Sequence, residues 1–463
     1  MPAYRATASS AEATLPLDLI AEAVAAAGVR DKRQRLLPAV AVVVFTLGCA
    51  LFGGEGYGEV ARKLAGWLAP LAGPGGWHLP GTGALARARR RAGPAPLREL
   101  FTRLAGPLAG PGTPGAFAFG RLLAALDGTM LDVPCSPANA AAFGAPPSGG
   151  GHGGFPQVRL VTLVACGTRG IIDAVFRGCR APRASEQDLA RKLAARGRCR
   201  RGMLVIADRN FGGYPVAAAL AGTGADLLIR VKSSQWLPVL EVLPDGSARS
   251  VLPHPAAGRR AAVARYHGRA LPGPPAGLAV RLIQAEITIT PDGGTPRTER
   301  VKLITTIADW QAAPAAQLAA CYAQRWEIET GYREIKVFTR GAGQVMRSQT
   351  PAGITQEIWA LLCACQLTSA ARARAAQTGD HDPDRISYTI TLRAIRRAIT
   401  TPAPDPASIT AEALATLLPP RRRRSYPRNK LTSTAKRRAA RAPLTGTITY
   451  KITITTPADL PGP

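Results

Sequence analysis

Two aspartates stand directly after apolar runs, where a carboxylate at the rim of a sheet can be reached by water. Asp127 ends the run that starts at Arg121, and Asp208 follows the run 203–207. Two carboxylates that converge repel each other unless a cation lies between them, and oxygen ligands favour Mg²⁺ or Mn²⁺. Either aspartate alone is also compatible with an ordinary strand end. The pair predicts a metal site at one edge of a sheet.

A second acid, Asp132, lies five residues beyond Asp127. On a strand, an odd offset puts two side chains on opposite faces. Because the apolar run ends at Asp127, we predict that Asp127 is the metal ligand of the two.

The strongest polar pattern lies in a predicted helix over residues 315–338. At about 100° per residue, offsets of 0, 3, 7 and 14 place four side chains within about 60° of one another. These four are Tyr322, Arg325, Glu329 and Lys336. The same spacing suits a solvated face on which Glu329 bonds Arg325 and Arg333, so spacing alone leaves both interpretations open.

The elements that must position these residues form an alternating pattern. After a Gly- and Pro-rich linker at 106–115, the order is strand, strand, strand, helix, strand, helix, strand. The predicted ranges are 121–126, 157–165, 171–176, 185–196, 203–207, 214–221 and 226–231. A hairpin followed by helical crossovers predicts an α/β chain (an α+β mixed sheet).

We expect five regions along the chain. They are a disordered N-terminus (1–14), an all-helical domain (15–110), a mixed α/β core in two pieces (116–231 and 308–375), a β-rich insertion (232–307) and a C-terminal region with a basic tail (376–463). The core and the insertion follow the change from helical to alternating, strand-like patterns.

Charge points to a polyanionic partner. Lys and Arg number 59 against 30 Asp and Glu, a net charge of +29 over 463 residues. Nucleic acid is the commonest polyanion in a cytoplasm, and an anionic membrane surface is the rival. The apolar stretch 39–52 is too short to cross a bilayer, and it predicts a buried helix.

Several other classes are excluded. The N-terminus lacks the pattern of a secretory signal. Eight cysteines in a chain of this length do not make a disulfide scaffold, so we expect reduced thiols and a cytoplasmic protein. The glycine run 149–154 precedes a strand and lacks a following Lys-Ser or Lys-Thr, so no nucleotide cofactor is expected.

Two basic segments are candidates for DNA contact. The first is a predicted short helix that Thr82 could cap, with Arg87, Arg89, Arg90 and Arg91. A helix-turn-helix-like DNA reader and a solvated basic face explain it equally well. The second is the tail 419–441, which carries ten basic residues and no acid and is expected to be disordered and to grip phosphate without sequence preference.

The motifs together resemble a known family. The stretch YAQRWEIETGYREIK has the Y-x₂-R-x₃-E-x₆-K spacing of the DDE transposases of the insertion-sequence-4 family. LDGTMLDVPCSPANAAAFG resembles that family's first catalytic-Asp region, and IADRNFGGY its second. The likeness extends from about residue 15 to about residue 441.

The resemblance implies that the helical domain 15–110 binds DNA. It also implies that 116–231 and 308–375 form an RNase H-like catalytic core, interrupted by the β-rich insertion. It implies that Asp127, Asp208 and Glu329 form a catalytic triad that holds Mg²⁺ or Mn²⁺, with two ions per site. Tyr322, Arg325, Arg333 and Lys336 are then expected to contact DNA near the cleaved strand. Trp236 is a candidate for holding a flipped base, and an ordinary packing role explains it as well.

The implied function is cut-and-paste DNA transposition, with cleavage at the transposon ends, a hairpin intermediate and strand transfer into target DNA. The partners would be double-stranded DNA, as terminal inverted repeats and target, and a second copy in a synaptic dimer, in the bacterial cytoplasm at the nucleoid. Two alternatives remain at this point. One is an RNase H-like nuclease or resolvase without strand transfer, and the other is a catalytically retired DNA-binding repressor.

Overall fold

The structure is a computed structural model that divides into two compact units. It describes residues 15–29, 36–72, 77–144, 154–271, 273–290, 297–322, 334, 339, 341, 344–401, 405–419 and 449–456. Unit 1 comprises Met1–Met203 and Arg325–Leu417, and unit 2 comprises Leu204–Gln324 and Leu418–Pro463. This division differs from the predicted domains, because the N-terminal helices and the first strands share one unit. The predicted disordered N-terminus 1–14 and residues 420–441 of the predicted tail 419–441 lie outside the described residues.

Unit 1 begins with the helices that the sequence predicts. They are α1 (Leu17–Ala26), α2 (Ala39–Leu51), α3 (Tyr57–Lys63), α4 (Ala65–Leu68), α5 (Thr82–Ala92) and α6 (Ala95–Leu104). Helix α2 is buried on nearly all sides, as its uniformly apolar sequence predicts. The expected cap of α5 is wrong, because Thr82 is the first helical residue and Gly81 occupies the cap position without a side-chain bond.

The C-terminal part of unit 1 is also helical. A long helix, α12 (Pro351–Thr378), packs against α2 and α6, and α13 (Tyr388–Ala398) and α14 (Pro406–Leu414) follow. Arg347, just before α12, donates to the carbonyl oxygens of Phe52 at 2.8 Å and Gly53 at 2.6 Å. A cation at the end of α2 satisfies carbonyls that a helix terminus leaves without partners.

The sheet of unit 1 is antiparallel. Its strands are β1 (Phe117–Ala118), β2 (Arg121–Asp132), β3 (Gln157–Ala165) and β4 (Ile171–Gly178), with β2 and β3 in the middle of the order. The predicted hairpin between β3 and β4 is confirmed. Two helices flank the strands, α7 (Pro137–Phe143) and α8 (Glu186–Ala194), and Ser185 caps α8 as expected by accepting from the backbone N–H of Asp188 at 3.1 Å.

Strand β2 is longer than the sequence predicts. The apolar run ends at Asp127, but the backbone continues as strand to Asp132. The cause is pairing, since Asp127 to Asp132 stay in unbroken register with Thr162 to Gln157 of β3. The expectation that Asp127 terminates the strand is therefore wrong, and the residue lies within it.

The sheet of unit 2 contains parallel and antiparallel pairs. Strand β5 (Met203–Ala207), of which Met203 belongs to unit 1, runs parallel to β6 (Asp226–Arg230), with α9 (Tyr214–Ala221) as the crossover. β6 is followed across the sheet by β10 (Arg297–Thr305), β9 (Gly277–Thr290), β8 (Ala248–Pro253) and β7 (Glu241–Val242), all antiparallel. Helix α11 (Ala315–Tyr322) closes the described part of this unit before residue 323.

Two elements of unit 2 were not predicted. Helix α10 (Pro255–Tyr266) interrupts the expected run of strands, and β11 (Thr449–Thr455) pairs antiparallel with β9. Within the described ranges, no helix combines the length and apolarity that a membrane crossing requires. The eight cysteines are all free.

Candidate functional site

Asp127 is a half-buried carboxylate on β2. It lies opposite Thr162 of β3, and its Oδ1 accepts the backbone N–H of Gly128 at 2.8 Å. Because the register between β2 and β3 is unbroken, Asp132 falls on the other face of the strand. There the Asp132 carboxylate accepts the Gln157 side-chain amide at 2.7 Å.

Sequence reasoning missed a carboxylate that lies against the strand residue next to Asp127. A Cβ placed on Gly128 would lie 2.6 Å from Oε1 of Glu186, the first residue of α8. Gly128 is therefore the residue that lets Glu186 lie against β2, on the face opposite the Asp127 side chain. Strand β2 and helix α8 are far apart in the sequence, and no local pattern predicts this contact.

Asp208 follows β5 and is held by the turn after it. Its Oδ1 accepts the backbone N–H of Asn210 at 2.8 Å, and its carbonyl accepts that of Phe211 at 3.1 Å. Phe211 is buried, and a Cβ on Gly212 would lie 2.8 Å from the carbonyl oxygen of Arg230. The Asn-Phe-Gly sequence thus shapes the turn that presents the half-exposed Asp208.

The rest of the predicted triad is outside the described residues. Glu329 lies there, as do Arg325, Arg333 and Lys336. Tyr322 is described as the last residue of α11, and it is mostly buried in unit 2. Within the described part of the chain, no three His, Cys, Asp or Glu side chains gather as a metal site would need. The triad therefore stays a prediction.

The helix that leads to this segment is anchored by a turn. Asp245, in the predicted Pro-Asp-Gly turn between β7 and β8, accepts from the first backbone N–H of α11 (Ala315) and from buried Arg281, at 2.8 and 2.9 Å. Burial alone would raise the pKa of Asp245. Hydrogen bonds from Ser247 and from the Ala315 backbone, with the charge of Arg281, instead hold that pKa below its usual value.

Trp236 is half-buried at the start of the insertion. The Arg265 guanidinium lies 5.0 Å from its ring centre, in cation–π geometry. The neighbouring carbonyl of Gln235 accepts the Lys302 ammonium at 2.7 Å, and burial lowers the pKa of that lysine. One face of the indole is therefore covered, which restricts any base to the other face.

The four predicted arginines of α5 divide into two kinds. Arg87 and Arg90 are exposed, but Arg89 is only 4% exposed. Its Nε donates to Gln356 at 3.0 Å and its Nη1 to the hydroxyl of Tyr57, whose pKa is raised by burial. The prediction that Arg89 contacts DNA disagrees with this burial, because its guanidinium is enclosed by partners from α3 and α12. Arg91 is exposed and also donates to the carbonyl of Leu37 at 2.7 Å.

Helix α10 presents a basic face that sequence reasoning missed. Its inner side is Ala257 and Ala261, and its outer side carries Arg259, Arg260 and an 87% exposed Tyr266. No acid occurs between Asp245 and Glu286. Among the described residues, none forms an ion pair with either of these two arginines. The signal for the helix was weak because its buried stripe consists of alanine.

Two family matches cover most of the chain. The family described as "Insertion element 4 transposase N-terminal" matches residues 5–102, and the family described as "Transposase DDE domain" matches residues 118–367. The second match includes both aspartates and the whole Y-x₂-R-x₃-E-x₆-K stretch.

Among individual relatives, the chain is 26% identical over 422 residues to the transposase InsG for insertion sequence element IS4 of Escherichia coli. The alignment covers 89% of each chain. Among solved structures, a cryo-EM structure of the piggyBac transposase synaptic complex with hairpin DNA matches 86% of this chain and 79% of its own, at 11% identity and a TM-score of 0.42.

Proposed function

Because the chain belongs to the insertion-sequence-4 family of DDE transposases, we propose that Asp127, Asp208 and Glu329 are its catalytic carboxylates. Family membership carries the RNase H-like fold and the activity of a DNA-cleaving and strand-transferring enzyme. It also carries a requirement for divalent metal ions and DNA as partner. We further propose which residues catalyse the reaction, which metal they bind and which intermediates form.

The two described aspartates fit a hard cation. Both carboxylates are partly exposed. One oxygen of Asp127 accepts the backbone N–H of Gly128, and one oxygen of Asp208 accepts the backbone N–H of Asn210. Carboxylate oxygens are the ligands that Mg²⁺ and Mn²⁺ prefer, so we take Mg²⁺ as the resident ion, with Mn²⁺ as substitute and two ions per site. When bound, the metal supplies a Lewis acid for in-line phosphoryl transfer.

The remaining signature residues would act on the phosphate itself. Arg325 can hold two phosphate oxygens at once, and Lys336 adds a point charge, so both lower the cost of charge on the phosphate during displacement. Arg333 would extend this contact along the strand. Tyr322 would donate its hydroxyl to a phosphate oxygen rather than attack phosphorus, since the carboxylates make a tyrosine nucleophile unnecessary.

The proposed reaction is cut-and-paste transposition through a hairpin. Water attacks the phosphorus at the transposon end, and the 3′ oxygen leaves with a proton as a free hydroxyl. That hydroxyl attacks a phosphodiester of the opposite strand to form a hairpin, and the 3′ oxygen of the flanking DNA leaves as a hydroxyl. A second water hydrolyses the hairpin phosphodiester and frees the 3′-hydroxyl again. That hydroxyl then attacks a phosphodiester of target DNA, from which the 3′ oxygen of the cut target strand leaves as a hydroxyl. Trp236 remains the proposed support for a flipped base, through the ring face that Arg265 leaves uncovered.

DNA contact outside the reacting phosphate is proposed for two surfaces. In unit 1 the exposed Arg87, Arg90 and Arg91 of α5 would read or grip the terminal inverted repeat. In unit 2 the outer face of α10 would bind phosphate through Arg259 and Arg260 and use Tyr266 against a base or sugar. The basic tail 421–441 would add a contact without sequence preference.

A synaptic complex that joins two transposon ends requires at least two copies, so we propose a homodimer on DNA. Its place of action would be the bacterial cytoplasm, at the nucleoid. No nucleotide cofactor is part of the proposal, because phosphoryl transfer between DNA strands is close to energetically neutral in bonds broken and formed.

The observation that carries the proposal is the presence of both strand aspartates and the full signature in one chain that matches the DDE domain. The test is a plasmid with the natural flanking DNA, incubated with purified protein and Mg²⁺ beside Glu329→Gln. We expect breaks at the element ends with hairpin intermediates and strand-transfer products. Glu329→Gln should lower cleavage by orders of magnitude and leave DNA binding intact.

Three other outcomes would revise the proposal. Scattered nicks without joined products would favour a nuclease without strand transfer. Tight binding without any breakage would favour a retired enzyme. Cleavage by Glu329→Gln at the wild-type rate would remove this residue from the site.

A further inference from the structure

Unit 1 encloses four charged side chains that the proposed chemistry does not use. They come from four separate segments of the chain: Arg169 in the β3–β4 turn, Glu334 in the segment after α11, Arg372 on α12 and Asp384 in the short helix Pro383–Arg385. Glu334 is 3% exposed, Arg372 0% and Asp384 3%, so the cluster is closed to water.

The contacts connect Glu334 to both arginines. Arg169 donates to Glu334 Oε1 through Nη1 and to Asp384 Oδ1 through Nη2. Arg372 donates to the same Glu334 oxygen at 3.3 Å and to the carbonyl of Pro383 at 3.0 Å. Because a guanidinium has a fixed fork, a bridge of this kind sets direction as well as distance.

The turn that presents Arg169 has a strained backbone. Arg169 has φ of 60°, a left-handed conformation that residues other than glycine rarely adopt. Such strain persists where the surroundings hold it in place, and here the preceding Thr168 hydroxyl donates to the carbonyl of Pro107. The strained turn directs the guanidinium at Glu334.

A second attachment lies beside the first. The carbonyl of Glu334 accepts the Thr339 hydroxyl at 3.0 Å, and that hydroxyl pairs with the hydroxyl of Tyr388 on α13 at 2.7 Å. Glu334 is thus held through its side chain and its backbone. Both contacts belong to unit 1.

Glu334 is close in sequence to two residues of the proposed site, so a contact that anchors Glu334 also restricts them. It lies five residues after Glu329 and two before Lys336. Five residues span at most about 17 Å even when fully extended, so an anchor at Glu334 restricts where Glu329 can go. A buried ion pair adds little to the free energy of unfolding compared with apolar packing. It is favourable only when its atoms are held at well-defined distances and angles.

We propose that Glu334 is a positioning residue, and that its bridge to Arg169 and Arg372 fixes the segment that carries Glu329 to the core of unit 1. The inference rests on the proposed catalytic role of Glu329. It assigns to the cluster the task of holding Glu329 and Lys336 in register with the reacting phosphate.

The test compares Glu334→Gln with a matched control in the full-length protein. Asp173→Asn is the control, because it also neutralises a buried carboxylate of unit 1, which Arg196 holds at 2.8 Å. Amide hydrogen exchange is measured without metal, on peptides that span residues 323–338. Cleavage of end DNA is then measured for kcat, KM and the Mg²⁺ concentration at half-maximal rate.

We expect Glu334→Gln to speed exchange in the 323–338 peptides, to raise the Mg²⁺ midpoint and to lower kcat by about 10²-fold, the cost of a misplacement near 1 Å. KM for DNA should stay close to the wild-type value. Asp173→Asn should change none of these, even if both variants lower the midpoint of thermal unfolding. Arg169→Lys keeps the positive charge and removes the planar fork of the guanidinium. It should change exchange, the Mg²⁺ midpoint and kcat in the same directions as Glu334→Gln. It replaces Glu334→Gln in the test if that variant does not fold.

The proposal is overturned if Glu334→Gln and Arg169→Lys leave exchange over 323–338 and kcat at the values of Asp173→Asn. Failure of the proposed function is a separate result. Cleavage by Glu329→Gln at the wild-type rate would refute the role of Glu329, whereas the exchange measurement, made without metal or DNA, would still report whether Glu334 anchors the segment.

Discussion

Helices α5 and α10 are both rich in arginine, but their arginines have opposite relations to their surroundings. Helix α5, which the sequence marks as the basic helix, buries Arg89 among Tyr57, Gln356 and Glu357. Helix α10, which the sequence did not mark, exposes Arg259 and Arg260, and no ion pair reaches either of them from the described ranges. Helix α5 therefore uses an arginine for internal packing, whereas the arginines of α10 are exposed to solvent and available to a ligand.

The difference teaches that the partner of an arginine is decided by distant parts of the chain. Arg89 finds Gln356 267 positions away, on the long helix α12. Arg259 and Arg260 lie in a stretch without acids, on a helix whose inner side is alanine. Counting basic residues along a helix predicts a charged surface only if nothing else folds over it.

Loss of Arg89 is the change expected to have the largest effect on stability. Arg89→Ala would remove the cation beside the mostly buried Glu357 and the donor to the side-chain oxygen of Gln356, and we expect the free energy of unfolding to fall by about 3 kcal/mol. Urea unfolding measures this. Arg90→Ala, on the exposed side of the same helix, is the control and should stay within about 0.5 kcal/mol of wild type. Equal effects for the two would remove the distinction within α5.

Loss of the α10 arginines should affect DNA and not stability. Arg259→Ala with Arg260→Ala should reduce the slope of log affinity against log salt by about 0.9 for each DNA phosphate that an arginine no longer neutralises. Fluorescence anisotropy with end DNA over a salt series measures the slope. Arg300→Ala, an exposed arginine of the same unit that pairs with Glu286 at 2.7 Å, is the control. An unchanged slope in the double variant would show that these two arginines of α10 face solvent and do not contact DNA phosphates.

Loss of Tyr266 should have the smallest effect and the most selective one. If its ring stacks on a base, Tyr266→Ala should weaken binding to single-stranded or hairpin-ended DNA by about 1 kcal/mol and binding to intact duplex by less. Tyr266→Phe keeps the ring and should restore the difference. Equal weakening on both DNA forms would indicate a backbone contact in place of stacking.

Local signals predicted much of the fold. The hairpin between β3 and β4, the Ser185 cap and the strand before Asp208 follow from turn residues, capping chemistry and apolar runs that act within a few positions. The continuation of β2 through Asp132 depends on pairing with β3, which no local pattern contains. Strand β11 alternates Ile and Thr from Ile452 to Thr455, a period-two signal that sequence reasoning overlooked.

The candidate site was predicted in part. Asp127 and Asp208 were identified from the residues that flank them, and the turn after Asp208 has the form expected. The contact between Gly128 and Glu186 was not foreseen, nor was the anchoring of α11 by Asp245. Each of these joins segments that are tens of residues apart, so its existence depends on the assembled fold rather than on any one stretch.

The central claim is that Asp127 holds a metal ion, and metal-specific rescue tests it most directly. Asp127→Cys and Asp132→Cys would be assayed for cleavage of transposon-end DNA in Mg²⁺ and in Mn²⁺, because a thiolate ligand accepts the softer Mn²⁺ more readily than Mg²⁺. We predict that Asp127→Cys is inactive in Mg²⁺ and regains cleavage in Mn²⁺, whereas Asp132→Cys cleaves in both. Cleavage by Asp127→Cys in Mg²⁺ at the wild-type rate would contradict the account.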